Sequence, residues 1–302
     1  MKASTGTATL VTGATGFIGR SLVEALVARG ERVVALSRRA TDSAHQDRGV
    51  EWRTCDLLNP EQLPRALAGV RVAYYLVHSM GSGQAGYRAL ESRAAQAFVA
   101  AAGAAGIERI VYLGGPAPPG PPSEHLRSRL EVGEILRGGA VTAVELRAAM
   151  VIGNGSASWR IVRDLATRLP VMVLPRWLSS RTRPVALSDV ISALMAAATL
   201  PLLQSEWFDL PGPDTLSGQQ ILERIAALRG RRFFALKVPF LTPQLSALWL
   251  RLVTRTDFAL ARELVLGLKD DLLPKDDRIW GLIGHTQLLS FDEAARRALA
   301  SE

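Results

Sequence analysis

The chain has 302 residues, 48% of them hydrophobic and 21% charged, which excludes a small disulfide-stapled scaffold and wholesale disorder and suits one large domain with an appendage or two modest ones. Its single cysteine, Cys55, can form neither an internal disulfide nor a thiolate metal site alone, so a reducing compartment is expected. The formal charge of +8, from 36 basic against 28 acidic residues, favours anionic ligands without naming one. No basic region followed by a long apolar stretch opens the chain, so no secretory signal is read there and a cytoplasmic location is expected. No apolar run reaches the roughly 18 residues of a membrane span. Residues 238–253 come nearest and leave room for a peripheral membrane contact.

In chain order, short apolar runs alternate with helical periodicity, the pattern of βα units in a parallel sheet. Residues 8–12 read as the first strand and 16–28 as a helix, with Ile18, Leu22 and Leu26 at helical spacing and Gly30 at its end. Strands follow at 32–37 and 50–55, a short helix at 61–67, and a fourth strand at 72–78, apolar enough to be buried on both faces. A long alanine-rich helix spans 86–105 and a fifth strand 109–113. The proline-rich segment 114–122 breaks regular structure at that strand's carboxyl end. A helix at 124–137 and a sixth strand at 141–146 complete the alternation. Beyond residue 150 it weakens: a helix at 159–168, short strands at 171–174 and 184–187, and a helix at 189–199, with Ser188 read as its cap. Ser217 and Gln220 fit a capping box opening another helix. The expectation is a doubly wound α/β fold of Rossmann type, with residues 1–150 as the dinucleotide-binding core and 151–302 as a small, mostly helical substrate region interleaved with the end of that core.

The strongest chemical signal is Thr12-Gly13-Ala14-Thr15-Gly16-Phe17-Ile18-Gly19, a strand running through a glycine-punctuated turn into a helix. Gly13 allows the tight turn, Gly16 lets the main chain approach a pyrophosphate, and Gly19 permits close helix packing, while the helix N-terminus presents N–H groups and positive dipole. At the end of the second strand stand Ser37, Arg38 and Arg39, where an NAD-selecting fold places a carboxylate for the ribose. A hydroxyl and two guanidinium groups there favour the 2′-phosphate of NADP(H). Asp56 has two readings: acceptor for the adenine amino group, or cap of the following turn. No metal-ligand spacing, hydrolase elbow or nucleic-acid signature is present, so no metal and no nucleic acid are expected.

With this TGATGFIG turn, and with Asp56-Leu57 followed by Leu67-Ala68-Gly69-Val70, the chain over most of residues 8–200 resembles the extended and atypical short-chain dehydrogenase/reductase superfamily. Within it the chain is most similar to the NAD(P)H-binding NmrA-like and complex I 39-kilodalton-subunit-like groups. The resemblance implies NADP(H) at the carboxyl ends of the sheet, with substrate between the sheet and the C-terminal region. The cofactor residues it implies are Thr12, Gly13, Thr15, Gly16, Phe17, Ile18, Gly19, Ser37, Arg38, Arg39, Asp56, Leu57, Val77, His78, Ser79, Arg129 and Ala149.

The chain departs from the superfamily where proton chemistry is done. Active members use a serine after the fifth strand and a Tyr-x-x-x-Lys pair on the next helix, whereas this chain has Gly114 and Gly115, then His125 and Arg129. Those two residues share one helix face. Arginine can grip a ribose or phosphate but cannot pass a proton, and its charge disfavours an imidazolium beside it. His125 is therefore either an unorthodox acid or a plain surface histidine. Alternation sends Tyr74, Leu76 and His78 to one sheet face and Tyr75, Val77 and Ser79 to the other; His78 is either a nicotinamide-side donor or core, and the tyrosines read as core. Arg147 either reaches the crevice or pairs with Glu145. The leading expectation is an NADP(H)-dependent oxidoreductase acting on a small, fairly apolar carbonyl, enone or quinone, as monomer or homodimer, with His125, Arg129 and His78 as catalytic candidates. The alternative is a catalytically silent NADP(H)-holding sensor or structural partner.

Overall fold

A computed structural model describes residues 7–39, 49–78, 86–168, 171–174, 176–231, 234–237 and 270–302. Its first part runs β1 (Ala8–Val11), α1 (Phe17–Ala28), β2 (Val33–Ser37), β3 (Val50–Thr54), α2 (Leu63–Ala66), β4 (Val70–Tyr75), α3 (Tyr87–Ala105), β5 (Arg109–Gly114), α4 (Glu124–Arg137) and β6 (Ala143–Arg147). Then come β7 (Val151–Ile152), α5 (Ala157–Arg168), β8 (Val171–Leu174), β9 (Arg181–Thr182), β10 (Val185–Ala186), α6 (Leu187–Ala197), β11 (Glu206–Asp209), β12 (Leu216–Ser217), α7 (Gly218–Leu228), β13 (Phe234–Lys237), α8 (Arg278–Leu282) and α9 (Phe291–Ala300). The apolar runs pair as a parallel seven-stranded sheet ordered β11-β6-β5-β4-β1-β2-β3. The strand order reverses between β1 and β4, which opens a crevice at the carboxyl ends of the strands, the place where such sheets bind ligands.

The sheet is buried on both faces because helices cover both. Leu22, Val23 and Leu26 of α1, with Val190 and Leu194 of α6, pack on Val11, Tyr74 and Val144. On the other face Ala95, Phe98 and Ala102 of α3 pack on Leu10, Ala73 and Tyr75. The expected alternation along β4 holds through Val77, with Tyr74 and Leu76 in one cluster and Tyr75 and Val77 in the other, but not at His78, which lies past the strand's end and meets Glu91 of α3 and His125 of α4, the helices on the Tyr75 face, instead of joining Tyr74 and Leu76. The strand itself stops at Tyr75 rather than continuing to 78, because the Leu76 N–H is taken by the Thr12 hydroxyl at 2.9 Å instead of a ladder carbonyl.

The second part of the chain divides between two cores. Val185, α6, Phe208 and Trp280 join the sheet cluster, whereas Trp159 and Leu165 of α5, Leu222 and Ile225 of α7, and Phe291 and Ala295 of α9 build a separate cap cluster. The cap is not only helical: β7–β10, β9–β12 and β8–β13 form short strand pairs beside it. Ser217 and Gln220 make the expected capping box of α7. Ser188 is not the cap of α6; Ala186 occupies that position, and Ser188 lies inside the first turn. The carboxylate of Asp189 there accepts from the Leu289 N–H and lies 3.0 Å from His285 Nε2, fastening the C-terminal segment to the core. The apolar run 238–253, read as a candidate membrane contact, lies outside the described residues. Among the described residues no helix is long and apolar enough to cross a membrane.

Candidate functional site

The β1–α1 turn is shaped by its glycines. Gly13 has φ 63°, and a Cβ there would fall 2.7 Å from the Leu76 carbonyl oxygen, so the turn closes against β4 only without a side chain. A Cβ at Gly19 would collide with the Gly13 carbonyl. Gly16 is the N-cap of α1 and brings no side-chain cap, and the first turn holds no acidic residue. The first N–H groups of a helix lack intrahelical acceptors, so the open, uncharged start of α1 suits an anionic ligand. Thr12 is committed elsewhere: its hydroxyl donates to the Tyr74 carbonyl at 3.1 Å and accepts from Leu76. Thr15 is exposed beside this turn.

At the carboxyl end of β2, Arg38 and Arg39 are exposed, and the Ser37 hydroxyl accepts from the Arg39 N–H at 3.3 Å. Asp56 Oδ1 accepts from the Leu58 N–H at 3.0 Å, the bond expected of a turn cap. Leu57 is buried and Val77 packs against the sheet core. Ser79 lies outside the described residues.

A cavity of about 300 Å³ runs from this turn toward the cap. Phe17, Ile18, Gly115, Ala149, His125 and Arg129 line it on the sheet side, and Ile161, Leu165, Thr182, Ile221 and Leu222 on the cap side. Its lining is overwhelmingly apolar. The Thr182 hydroxyl and Arg129 Nε are buried without hydrogen-bond partners, which is costly unless a ligand supplies them.

The substituted pair sits where the helix spacing placed it: His125 and Arg129, one turn apart on α4, both line the cavity. His125 is buried, not a surface residue. Its imidazole is lowered to about 2, chiefly by burial and then by Arg129 and His78, so burial outweighs the guanidinium. His78 stands behind it, with Nε2 3.2 Å from His125 Nδ1, and its Nδ1 meets Glu91 Oε1 at 2.8 Å. Burial lowers the His78 imidazole as well, against the raising influence of Glu91. Glu91, which sequence reasoning missed, is a buried carboxylate on α3 that also accepts from the Ser128 hydroxyl. Arg129 Nη2 donates to the Leu113 carbonyl. Tyr74, Tyr75 and Tyr112 are buried with phenols pushed up chiefly by desolvation, and they pack in the sheet clusters rather than lining the cavity.

The glycines that replace the family's serine also have a local reason. A Cβ at Gly114 would lie 2.7 Å from Glu145 Oε1, and one at Gly115 would lie 3.2 Å from Arg129 Nε. Glu145 is buried between Arg137 and Arg147, each at 2.9 Å, and Arg147 stacks on Trp207 at 4.2 Å. Arg147 therefore belongs to this ion network rather than to the cavity.

A family model described as NAD(P)H-binding matches residues 13–166. The chain belongs to that family. Over 201 residues, 64% of this chain, it is 32% identical to the ceramide reductase of Caulobacter vibrioides, and it spans 61% of that relative's length. Its fold is that of the triphenylmethane reductase of Citrobacter sp. complexed with NADP(H), with TM-score 0.78 and 19% identity over 96% of this chain and 100% of that one. It is also that of the NADPH-dependent quinone oxidoreductase QOR2 of Escherichia coli, with TM-score 0.77 and 20% identity over 95% of this chain and 98% of that one. The glycine turn that a Cβ would close, the uncapped α1 and the Arg129 Nε without an acceptor together fit the family's dinucleotide.

Proposed function

We propose that the protein is an NADP(H)-dependent oxidoreductase acting on a fairly apolar carbonyl, enone or quinone. The observation that carries this is the apolar cavity, continuous from the start of α1 to the cap helices, with His125, Arg129 and Thr182 among its polar points, beside Ser156, Ser158 and Ser180. Gly13, Gly16, Phe17 and Ile18 would hold the pyrophosphate, Arg38 and Arg39 the 2′-phosphate, and Arg129 the nicotinamide ribose. When bound, the reduced nicotinamide supplies a hydride, which is chemistry the protein itself need not perform. The protein's part is to exclude water with Ile161, Leu165, Ile221 and Leu222, to seat the substrate's apolar body, and to face its oxygen with His125. The Thr182 hydroxyl favours a substrate with a second polar group at the far end of that body. A single buried, unpaired cysteine supports a reducing, cytoplasmic setting.

The test is turnover. Purified protein with NADPH and a panel of apolar ketones, enones and quinones is followed by loss of reduced-nicotinamide absorbance, and substrate-dependent oxidation of NADPH is expected. Tight cofactor binding with no turnover anywhere would overturn the enzyme reading in favour of a silent NADP(H)-holding protein.

A further inference from the structure

We propose that Glu91, His78 and His125 form a proton relay that feeds the cavity and takes the place of the family's Tyr-x-x-x-Lys pair, an inference that rests on the reductase reading above. The three groups stand in series. Glu91 Oε1 lies 2.8 Å from His78 Nδ1, His78 Nε2 lies 3.2 Å from His125 Nδ1, and His125 lines the cavity. One nitrogen of each ring faces the next group inward, so His125 Nε2 is the nitrogen left for the ligand. The second carboxylate oxygen of Glu91 accepts from Ser128 on α4, which ties helix α3 to the helix that carries His125.

This order fixes the protons. With Glu91 ionised, His78 carries its proton on Nδ1, toward the carboxylate, and its bare Nε2 accepts from His125 Nδ1–H; His125 Nε2 is then a lone pair. When Glu91 gains a proton, every bond in the series can reverse: the carboxyl O–H donates to His78 Nδ1, His78 Nε2–H donates to His125 Nδ1, and His125 Nε2–H faces the cavity. No imidazolium forms in either state. That matters because burial and the Arg129 charge oppose imidazolium at both rings, which would block an ordinary histidine acid.

The step balances. As a carbonyl carbon takes up a hydride from the reduced nicotinamide, the C=O π pair passes to oxygen, which takes the proton from His125 Nε2. His125 Nδ1 takes the proton of His78 Nε2, and His78 Nδ1 takes that of Glu91, which ends as a carboxylate held by the Ser128 hydroxyl. Solvent reloads Glu91, itself 6% exposed at the inner end of the series, past the His78 side chain, which is 20% exposed. The other charged or titratable groups that interact with the series are Arg129 on α4 and the buried phenols of Tyr75 and Tyr112, both acted on by Glu91; the Glu131–Arg88 pair, closed at 2.6 Å with Ser92 as a further donor to Glu131, ties α4 to α3 outside it.

Glu91 and His78 are positioning and relay residues, and their test needs a readout other than rate. The chain has four histidines, so the ring nitrogens of the ¹⁵N-labelled protein can be resolved by NMR. As pH falls, His78 and His125 are expected to switch together from the Nδ1–H to the Nε2–H tautomer without becoming imidazolium. In Glu91→Gln the amide oxygen takes the Ser128 bond and its NH₂ faces His78, so both rings are expected in the Nε2–H form at every pH. An imidazolium at either ring near pH 6, or an Nδ1–H tautomer at His78 in Glu91→Gln, overturns the relay. In turnover, Glu91→Gln is expected to lower kcat about 100-fold and to erase the acid limb of its pH profile with KM for NADPH unchanged, while Glu131→Gln stays within about twofold. Wild-type kcat and profile in Glu91→Gln would overturn it. If the wild type turns over nothing, the reductase reading fails while the tautomers still decide the relay.

Discussion

His125 offers a quantitative check on the buried proton chemistry. Its imidazole is held neutral in the fold, lowered to about 2, against about 6.5 in an unfolded chain. Because the folded value lies below the unfolded one, the stability it contributes is complete above about pH 6.5 and is lost as pH falls toward the folded value. At pH 5 the unfolded chain holds a proton that the fold excludes; about 1.5 pH units at about 1.4 kcal/mol each gives about 2 kcal/mol. Urea unfolding of the wild type and His125→Gln at pH 7.5 and pH 5, followed by tryptophan fluorescence, isolates this amount. Relative to the variant, the wild type should lose about 2 kcal/mol between the two pH values. A difference that does not change with pH would refute the claim that His125 is buried and neutral.

Gly114→Ala should destabilise the protein by about 3 kcal/mol in urea unfolding, because its Cβ falls on Glu145 Oε1 and displaces a carboxylate paired with Arg137 and Arg147; a loss under about 0.5 kcal/mol would show that the network is not rigid. Arg38→Asp should weaken NADPH binding at least about tenfold, a charge-assisted bond contributing about 1.5–3 kcal/mol, and leave NADH nearly unchanged; titration calorimetry giving equal effects on both would contradict the phosphate assignment.

The β1–α1 turn was legible because its signal is contiguous: strand, glycines and helix lie within a dozen residues, and each glycine answers a local steric demand. His125 and Arg129 were legible as neighbours because four residues is about one helical turn. Burial of His125 was not legible, since it depends on α3 and β4. Glu91 escaped for a related reason. Its partners His78 and Ser128 lie 13 and 37 residues away, and only the fold brings them together. A trace was nevertheless present: Glu91, Ala94, Ala95, Phe98 and Ala102 follow the apolar stripe of α3, and all are buried, so a lone carboxylate stood on a core-facing stripe. Strand β11 escaped because Glu206 and Asp209 bracket Trp207 and Phe208 and hide the apolar pattern; Arg278 pairs with Glu206, and the Lys275 N–H reaches Asp209. The cap wall of the cavity was illegible altogether, since Thr182 and Ile221 join the glycine turn only in three dimensions. Asp56 was legible as an ambiguity, and the local turn took its Oδ1.

A nicotinamide dinucleotide gripped at the start of α1 is the central claim, and titration calorimetry of the wild-type protein with NADPH and NADH tests it most directly. Saturable heat with NADPH is expected, with binding at least about tenfold tighter than for NADH. No heat with either dinucleotide would contradict it.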